Sequence, residues 1–159
     1  MIPEDIYKTV LDKMPVATVD LIILSPDKTK TLLFLRKNKP AKGFYYTIGG
    51  RIIKGESPED AIIRIADTEA GLNLNVKNVK FTGYMSEIFQ DSIFDEINSH
   101  CINLYFVYKL NNCEDIALDS QHLTCKWFNI KELKLHKDVH AFVQSKVLTA
   151  YDILHLPNQ

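Results

Sequence analysis

The chain has 159 residues, of which 46% are hydrophobic and 25% charged, and its formal net charge is −1. This composition is typical of one globular domain with a substantial core. It argues against generic nucleic-acid binding, which needs a basic patch. No apolar run approaches 18 residues, so no membrane span is predicted.

Taken in chain order, hydrophobic periodicity and turn residues predict nine elements in one domain spanning 1–159. They are a helix at 4–13, strands at 16–24, 31–37 and 44–48, a helix at 58–70, strands at 76–85, 102–110 and 125–129, and a helix at 138–155. This order predicts an α+β fold in which a mixed β-sheet is sandwiched between α-helices.

The helix at 58–70 has clear start and stop signals. Ser57 is a suitable N-cap, Pro58 suits the first helical position, and Gly71 suits the C-terminal stop. Ile62, Ile65 and Glu69 share one face, because they follow the spacing of a helical stripe. A carboxylate on an apolar face, at the negative end of the helix dipole, needs a cation or strong donors.

The cysteines predict no metal or disulfide framework. There are three, Cys101, Cys113 and Cys125, and no pair has CxxC spacing. The start, "MIPEDIYKTV", has neither the basic segment nor the apolar run of a signal peptide. We therefore expect a cytoplasmic protein.

The stretch around the helix resembles the signature box of the Nudix hydrolases. The matching pattern is Gly50-x5-Glu56-x7-Arg64-x4-Glu69-x-Gly71. Two further glutamates of the family's box are replaced here by Ile65 and Thr68. The resemblance implies the Nudix fold, with Gly50, Glu56, Arg64 and Gly71 as structural residues of the box and Arg64 bracing the loop through Glu56.

A wider similarity indicates one branch of that family, the GDP-mannose mannosyl hydrolases. It is carried by "LRKNKPAKGFYYTIGGRIIKGES" at 35–57 and "LDSQHLTCKWF" at 118–128. The branch keeps the first glutamate, the arginine and only the last glutamate of the box. The resemblance implies water attack at C1 of the sugar, with release of GDP and inversion, and it implies a homodimer.

The same resemblance implies a Mg²⁺ site, with Mn²⁺ as a possible substitute. Its ligands would be the backbone carbonyl of Gly49, the carboxylate of Glu69 and the side-chain oxygen of Gln121. These are oxygen ligands of the kind that Mg²⁺ prefers. His122 would be the general base, because its unperturbed pKa near 6.5 leaves it partly neutral at pH 7.

Three further residues are predicted to contact the substrate. The resemblance places Arg36 on the departing β-phosphate and Arg51 on phosphate or sugar, and guanidinium groups suit diphosphate oxygens. For Asp20, in an apolar strand, two interpretations stay open. It forms a buried ion pair with a lysine or arginine, or it contacts the sugar or nucleotide.

The chain also departs from the branch pattern. Ile48 stands where proline is usual, Cys101 where a tyrosine near the phosphate is expected, and Glu87 where a histidine contact is expected. The predicted loop at 87–100 is shorter than usual, and we expect these changes to lie on the substrate rim. Two other functions therefore stay open: a pyrophosphohydrolase that cleaves the diphosphate, and a non-catalytic module that binds nucleotide sugars.

Overall fold

The structure, a computed structural model, describes residues 2–111 and 122–155, the latter without the side chains of residues 122 and 123. The helices are α1 (Glu4–Lys13), α2 (Pro58–Ala70) and α3 (Ala141–His155). The strands are β1 (Val16–Leu24), β2 (Lys30–Arg36), β3 (Tyr45–Tyr46), β4 (Ile48–Arg51), β5 (Val79–Phe89), β6 (Ser99–Lys109) and β7 (His122–Asn129). Short 3₁₀ helices occupy Val76–Asn78 and Ile130–Leu135.

The strands form one mixed sheet in the order β3-β2-β1-β6-β5, with β4 also paired to β1 and β7 to β2. Strands β1 and β6 run parallel, and the other pairs are antiparallel. Helices α2 and α3 pack on opposite faces of this sheet, so the α+β prediction is confirmed.

Strand β1 supplies both halves of the core, as its continuous apolar sequence predicted. Val19 and Leu21 pack on the side of α2, and Ile22 packs on the side of α3; all three are fully buried. Alternate side chains of a strand point to opposite faces, which is why a strand between two helical layers is apolar throughout.

Some predicted boundaries were wrong. The strand predicted at 44–48 is two short strands, because Tyr45–Tyr46 pairs with β2 whereas Ile48–Arg51 pairs with β1. The strand predicted at 76–85 begins only after a 3₁₀ turn and continues to Phe89. In α1, Leu11 is the only buried residue. No helix among the described residues is long and apolar enough to cross a membrane.

Candidate active site

Helix α2 starts and stops where the sequence predicted. The Ser57 hydroxyl accepts a hydrogen bond from the Asp60 backbone N–H at 3.1 Å. At the other end Gly71 adopts a left-handed conformation, φ 64°, and its N–H closes the last turn. Both caps follow from residue type: the hydroxyl satisfies an orphan amide, and glycine accepts positive φ without a steric cost.

A two-pronged ion pair ties the preceding loop to α2. Arg64 Nε lies 2.7 Å from Glu56 Oε1, and Arg64 also donates to Glu56 Oε2 at 2.8 Å and to the Arg51 carbonyl at 3.0 Å. Glu56 in turn accepts from the Ile53 amide. The hydrogen bond from Arg64 lowers the pKa of Glu56 to about 2. The predicted brace is therefore present, and it fixes the end of β4 against the helix.

Glu69 faces inward, as its position on the helical stripe predicted. It is only 8% exposed. A Cβ built on Gly50 would lie 4.0 Å from Glu69 Oε1 and 3.4 Å from Ile65 Cδ1, so strand β4 passes directly over this face of α2. The buried carboxylate is a hard oxygen donor beside the backbone of β4, which fits a Mg²⁺ site.

The two positions that differ from the signature box have structural roles. Ile65 is 1% exposed and belongs to the core between α2 and the sheet. The Thr68 hydroxyl donates to the Arg64 carbonyl of its own helix at 2.8 Å. Neither side chain presents a carboxylate. In the ranges 2–111 and 122–155, no group of three or more His, Cys, Asp or Glu could hold a metal ion.

Gly49 allows β4 to lie close to β1. It lies opposite Asp20 in the antiparallel pairing with β1. A Cβ built on Gly49 would collide with the Asp20 carboxylate and with the Val19 carbonyl. Only glycine therefore allows β4 to approach β1 so closely, and Asp20 points to the face opposite to that of Glu69.

A cleft opens on this opposite face, beside α1. It is lined by five of the predicted residues, Asp20, Arg36, Gly49, Gly50 and Arg51, together with side chains from α1, β5 and β6. Of the three predicted metal ligands, only Gly49 lines the cleft, because Glu69 lies behind β4 and Gln121 lies outside the described residues.

Two arginines border the cleft. Arg36 stacks near Tyr46, with Cζ 5.5 Å from the ring centroid, and its buried Nε has no hydrogen-bond partner among the described residues. Arg51 lies over Tyr7 of α1, with Cζ 4.1 Å from the ring centroid. Aromatic faces orient both cations without consuming their N–H donors, so the donors remain suited to an anion.

The floor of the cleft contains a buried charge cluster that the sequence analysis missed. Lys146 of α3 is fully buried, with Nζ 2.5 Å from Asp20 Oδ2 and 2.6 Å from Glu87 Oε1. Tyr46 donates its hydroxyl to Glu87 Oε2 at 2.9 Å, and Asn103 Nδ2 donates to Asp20 Oδ1 at 3.0 Å. A buried ammonium needs such partners, because desolvation of an unpaired charge is costly.

This cluster settles two earlier expectations. The ion-pair interpretation of Asp20 is confirmed, and its cation is Lys146. The placement of Glu87 on the substrate rim was wrong: it lies inside β5, is 3% exposed and belongs to the floor. Burial raises the pKa of Glu87, although Lys146 opposes this effect. Complete burial acts to lower the pKa of Lys146, but the two carboxylates outweigh it and leave that pKa raised.

The other departures from the branch pattern also have defined positions. Ile48 is fully buried and pairs with Leu21, so it packs in the core. Cys101 lines the cleft, and burial raises the pKa of its thiol to about 11. His140 is half-buried against Phe44 and Phe89.

Comparison with known proteins identifies the family. A family model for the NUDIX domain matches residues 14–151. The chain belongs to the Nudix family. Its α+β architecture agrees with solved Nudix structures. We call α2 the Nudix helix, because Glu56 before it and Arg64 within it belong to the pattern that resembles the Nudix box.

Two curated relatives differ in how much of this Nudix chain they match. The low-salt glycan biosynthesis protein Agl8 of Haloferax volcanii is 28% identical over 145 residues, which cover 91% of this chain and 90% of that protein. The ADP-ribose pyrophosphatase of Methanocaldococcus jannaschii is 39% identical over 75 residues, which cover 47% of this chain and 43% of that protein.

Two solved structures show the shared fold. The MutT protein from Methanosarcina mazei has a TM-score of 0.70 at 16% identity, covering 91% of this chain and 99% of its own. The NUDIX domain of Shewanella oneidensis NrtR, complexed with ADP ribose, has a TM-score of 0.71 at 17% identity, covering 96% and 99%.

The register of this Nudix sheet brings two predicted residues together. Arg36 and His122 are paired across β2 and β7, next to an irregularity in β2. The last residue of β2 and the first of β7 therefore meet at the same end of the sheet. The two residues are 86 positions apart in sequence, and only the strand pairing places their backbones side by side.

Proposed function

We propose that this Nudix protein is a Mg²⁺-dependent hydrolase of a GDP-sugar, GDP-mannose or a related GDP-hexose. Water would attack C1 of the sugar, and GDP and free sugar would be released with inversion. The proposal rests on one observation. The inward face of the Nudix helix offers a single carboxylate, Glu69, because Ile65 is core and Thr68 is bonded to its own helix.

The residues would divide the chemistry as follows. Mg²⁺, held by the Gly49 carbonyl, Glu69 and Gln121, would neutralise charge that grows on the diphosphate. Arg36 and Arg51 would donate hydrogen bonds to the same oxygens, which gain charge as the C1–O bond breaks. His122 would take the proton of the attacking water, while the electrons of the broken bond stay on GDP.

Two observations support this division. The backbone pairing of Arg36 with His122 puts a leaving-group contact and a base candidate at one end of the sheet. The relative from Haloferax volcanii, which matches over nearly the full length of both chains, is named for glycan biosynthesis. Glycan assembly uses activated sugars, so a nucleotide-sugar substrate is consistent with that name.

Hydrolysis in ¹⁸O-labelled water tests the proposal. Attack at carbon puts the label on the released sugar and none on GDP. An α-linked GDP-hexose should first give the β-anomer, seen by NMR before mutarotation. Label on phosphate would overturn the assignment.

A second candidate is cleavage of the diphosphate itself. It is favoured by the 39% identity with the ADP-ribose pyrophosphatase over 75 residues. Attack at phosphorus would give a nucleoside monophosphate and a sugar phosphate, so the same labelling experiment separates the two. A chain that binds GDP-sugars with Mg²⁺ or Mn²⁺ but releases no product would be the non-catalytic module.

The homodimer and the cytoplasmic location remain predictions. Sedimentation at micromolar concentration tests the first, because a monomer of this chain has a mass of 18.3 kDa. A single species near twice that mass is expected.

A further inference from the structure

The ammonium of Lys146 has no hydrogen-bond donor left for a ligand. A lysine has three N–H donors. Lys146 Nζ donates to Asp20 Oδ2, to Asn103 Oδ1 at 3.3 Å and to the Tyr46 hydroxyl at 3.5 Å, and it forms an ion pair with Glu87 Oε1 at 2.6 Å. The side chain is also fully buried. Lys146 therefore fixes the floor of the cleft without being able to bind a substrate itself.

The carboxylates that it fixes keep unused acceptor capacity. Each carboxylate offers about four acceptor positions. Among the described residues, Glu87 accepts at Oε2 from Tyr46, and its buried Oε1 is paired with the Lys146 ammonium but accepts no hydrogen bond. Asp20 accepts from Thr47, Asn103 and Lys146. Both line the cleft. The floor therefore presents spare acceptors.

The charge of the floor points in the same direction. Two carboxylates and one ammonium give this cluster a net charge of −1. Arg36 and Arg51 also line the cleft but do not pair with the cluster, since Arg36 lies over the Tyr46 ring and Arg51 over the Tyr7 ring. Ser99, which is 4% exposed and also lines the cleft, has a hydroxyl with no hydrogen-bond partner in the part of the chain that the structure describes. A buried polar atom without a partner is uncommon, and a ligand hydroxyl would satisfy it.

We propose that Lys146 is a positioning residue that holds Asp20 and Glu87 as paired acceptors, so that the cleft takes an uncharged, hydroxyl-rich group and rejects one that carries a carboxylate. This inference rests on the proposed function, which makes the occupant the sugar of a nucleotide sugar. The diphosphate then lies at Arg36 and Arg51, and the sugar hydroxyls donate to the floor. A sugar carboxylate at the floor would meet like charge from Asp20 and Glu87, and the Lys146 ammonium would have no donor left to bind it.

Calorimetric titration with GDP, GDP-mannose and GDP-mannuronic acid tests the inference. Ca²⁺ replaces Mg²⁺ to suppress turnover, and the remaining ligand is checked after each run. The two sugars differ in a carboxylate at C6, so their ratio of Kd values reports on the charge of the floor. We expect GDP-mannose to bind roughly tenfold more tightly than GDP-mannuronic acid in the wild type. Equal affinities would overturn the inference, without need of any variant.

Two variants test the role of each partner. Glu87→Gln makes the floor neutral and should bring the ratio of the two Kd values to within roughly threefold. Glu132→Gln, a matched change at an exposed glutamate, should keep the wild-type ratio.

Lys146→Met should weaken the binding of GDP-mannose but not that of GDP, because only the sugar contacts the floor. Lys109→Met, at an exposed lysine, is its control. A wild-type ratio retained in Glu87→Gln, or equal losses for GDP and GDP-mannose in Lys146→Met, would contradict the assignment.

The outcomes of the calorimetric titration can be distinguished from those of the labelling experiment. Label on phosphate, or no hydrolysis at all, would refute the proposed reaction and leave the binding ratio to be judged by itself. Conversely, label on the sugar together with equal affinities would keep the reaction and refute the role of Lys146.

Discussion

Replacing Lys146 by methionine should destabilise the protein strongly. Methionine has a similar length and no charge, so the change removes the ammonium and leaves Asp20 and Glu87 buried without their cation. Breaking a buried ion pair by removing one member typically costs about 3–5 kcal/mol. For a chain of this length each kcal/mol lowers Tm by about 2–4 °C, so we expect a fall of roughly 10 °C at neutral pH.

The pH dependence identifies the cause. In the variant, the pKa of Glu87, which burial already raises, should rise further because the opposing Lys146 is gone. A carboxyl group whose pKa is higher in the folded than in the unfolded state destabilises the fold most at pH values above its folded pKa. This destabilisation is lost as the pH falls below the unfolded pKa, because the group is then protonated in both states. The deficit relative to wild type should therefore be greatest near pH 8 and shrink towards roughly pH 4–5.

Differential scanning calorimetry of the wild type and three variants provides the test. Lys109→Met, an exposed lysine, is the matched control and should stay within about 0.5 kcal/mol of wild type. The double variant Lys146→Met/Glu87→Gln keeps one unpaired carboxylate instead of two and should recover part of the loss. A Lys146→Met protein as stable as Lys109→Met, or a deficit independent of pH, would refute the reasoning.

Three further predictions concern the Nudix box and the base. Glu69→Gln should lower Mn²⁺ affinity, measured by titration in the presence of GDP, and activity with it; unchanged values would remove Glu69 from the metal site, and exposed Glu59→Gln is the control. His122→Gln should lower kcat about 100-fold or more and abolish the limb of the pH profile near roughly pH 6–7; a retained limb would place the base elsewhere. Glu56→Gln should lower Tm at pH 7, and the difference in Tm from wild type should disappear as the pH falls from about 4.5 through about 2. The reason is that the folded pKa of Glu56 is depressed, so its stabilisation is lost on protonation. A difference in Tm that persists at the acid end would contradict this.

Local signals predicted the Nudix helix accurately. Its caps lie within one turn of the residues they bond, and the Glu56–Arg64 brace spans eight positions. Such contacts are encoded by spacing alone, and a motif that depends on spacing can be recognised in a single sequence. The inward position of Glu69 followed from the same helical periodicity.

The floor of the cleft depends on contacts that spacing does not encode. Lys146 meets Asp20 across 126 positions, and Tyr46 meets Glu87 across 41. Lys146 lies four residues before Ala150, and this spacing places it on the inner face of α3. Its burial was nevertheless not predicted, because lysine is rarely fully buried. Glu87 was misplaced because the strand β5 is longer than its apolar pattern indicated.

The order in which the ribosome makes these segments has a consequence for the nascent chain. Strand β1 and strand β5 emerge with Asp20 and Glu87, but the residue that neutralises them follows only in α3. Until that helix has left the exit tunnel, burial would leave both carboxylates without a cation. They are therefore more stable in water, and this opposes early closure of the sheet around them. We therefore expect the floor of the cleft to form only after α3 has been translated and has left the exit tunnel.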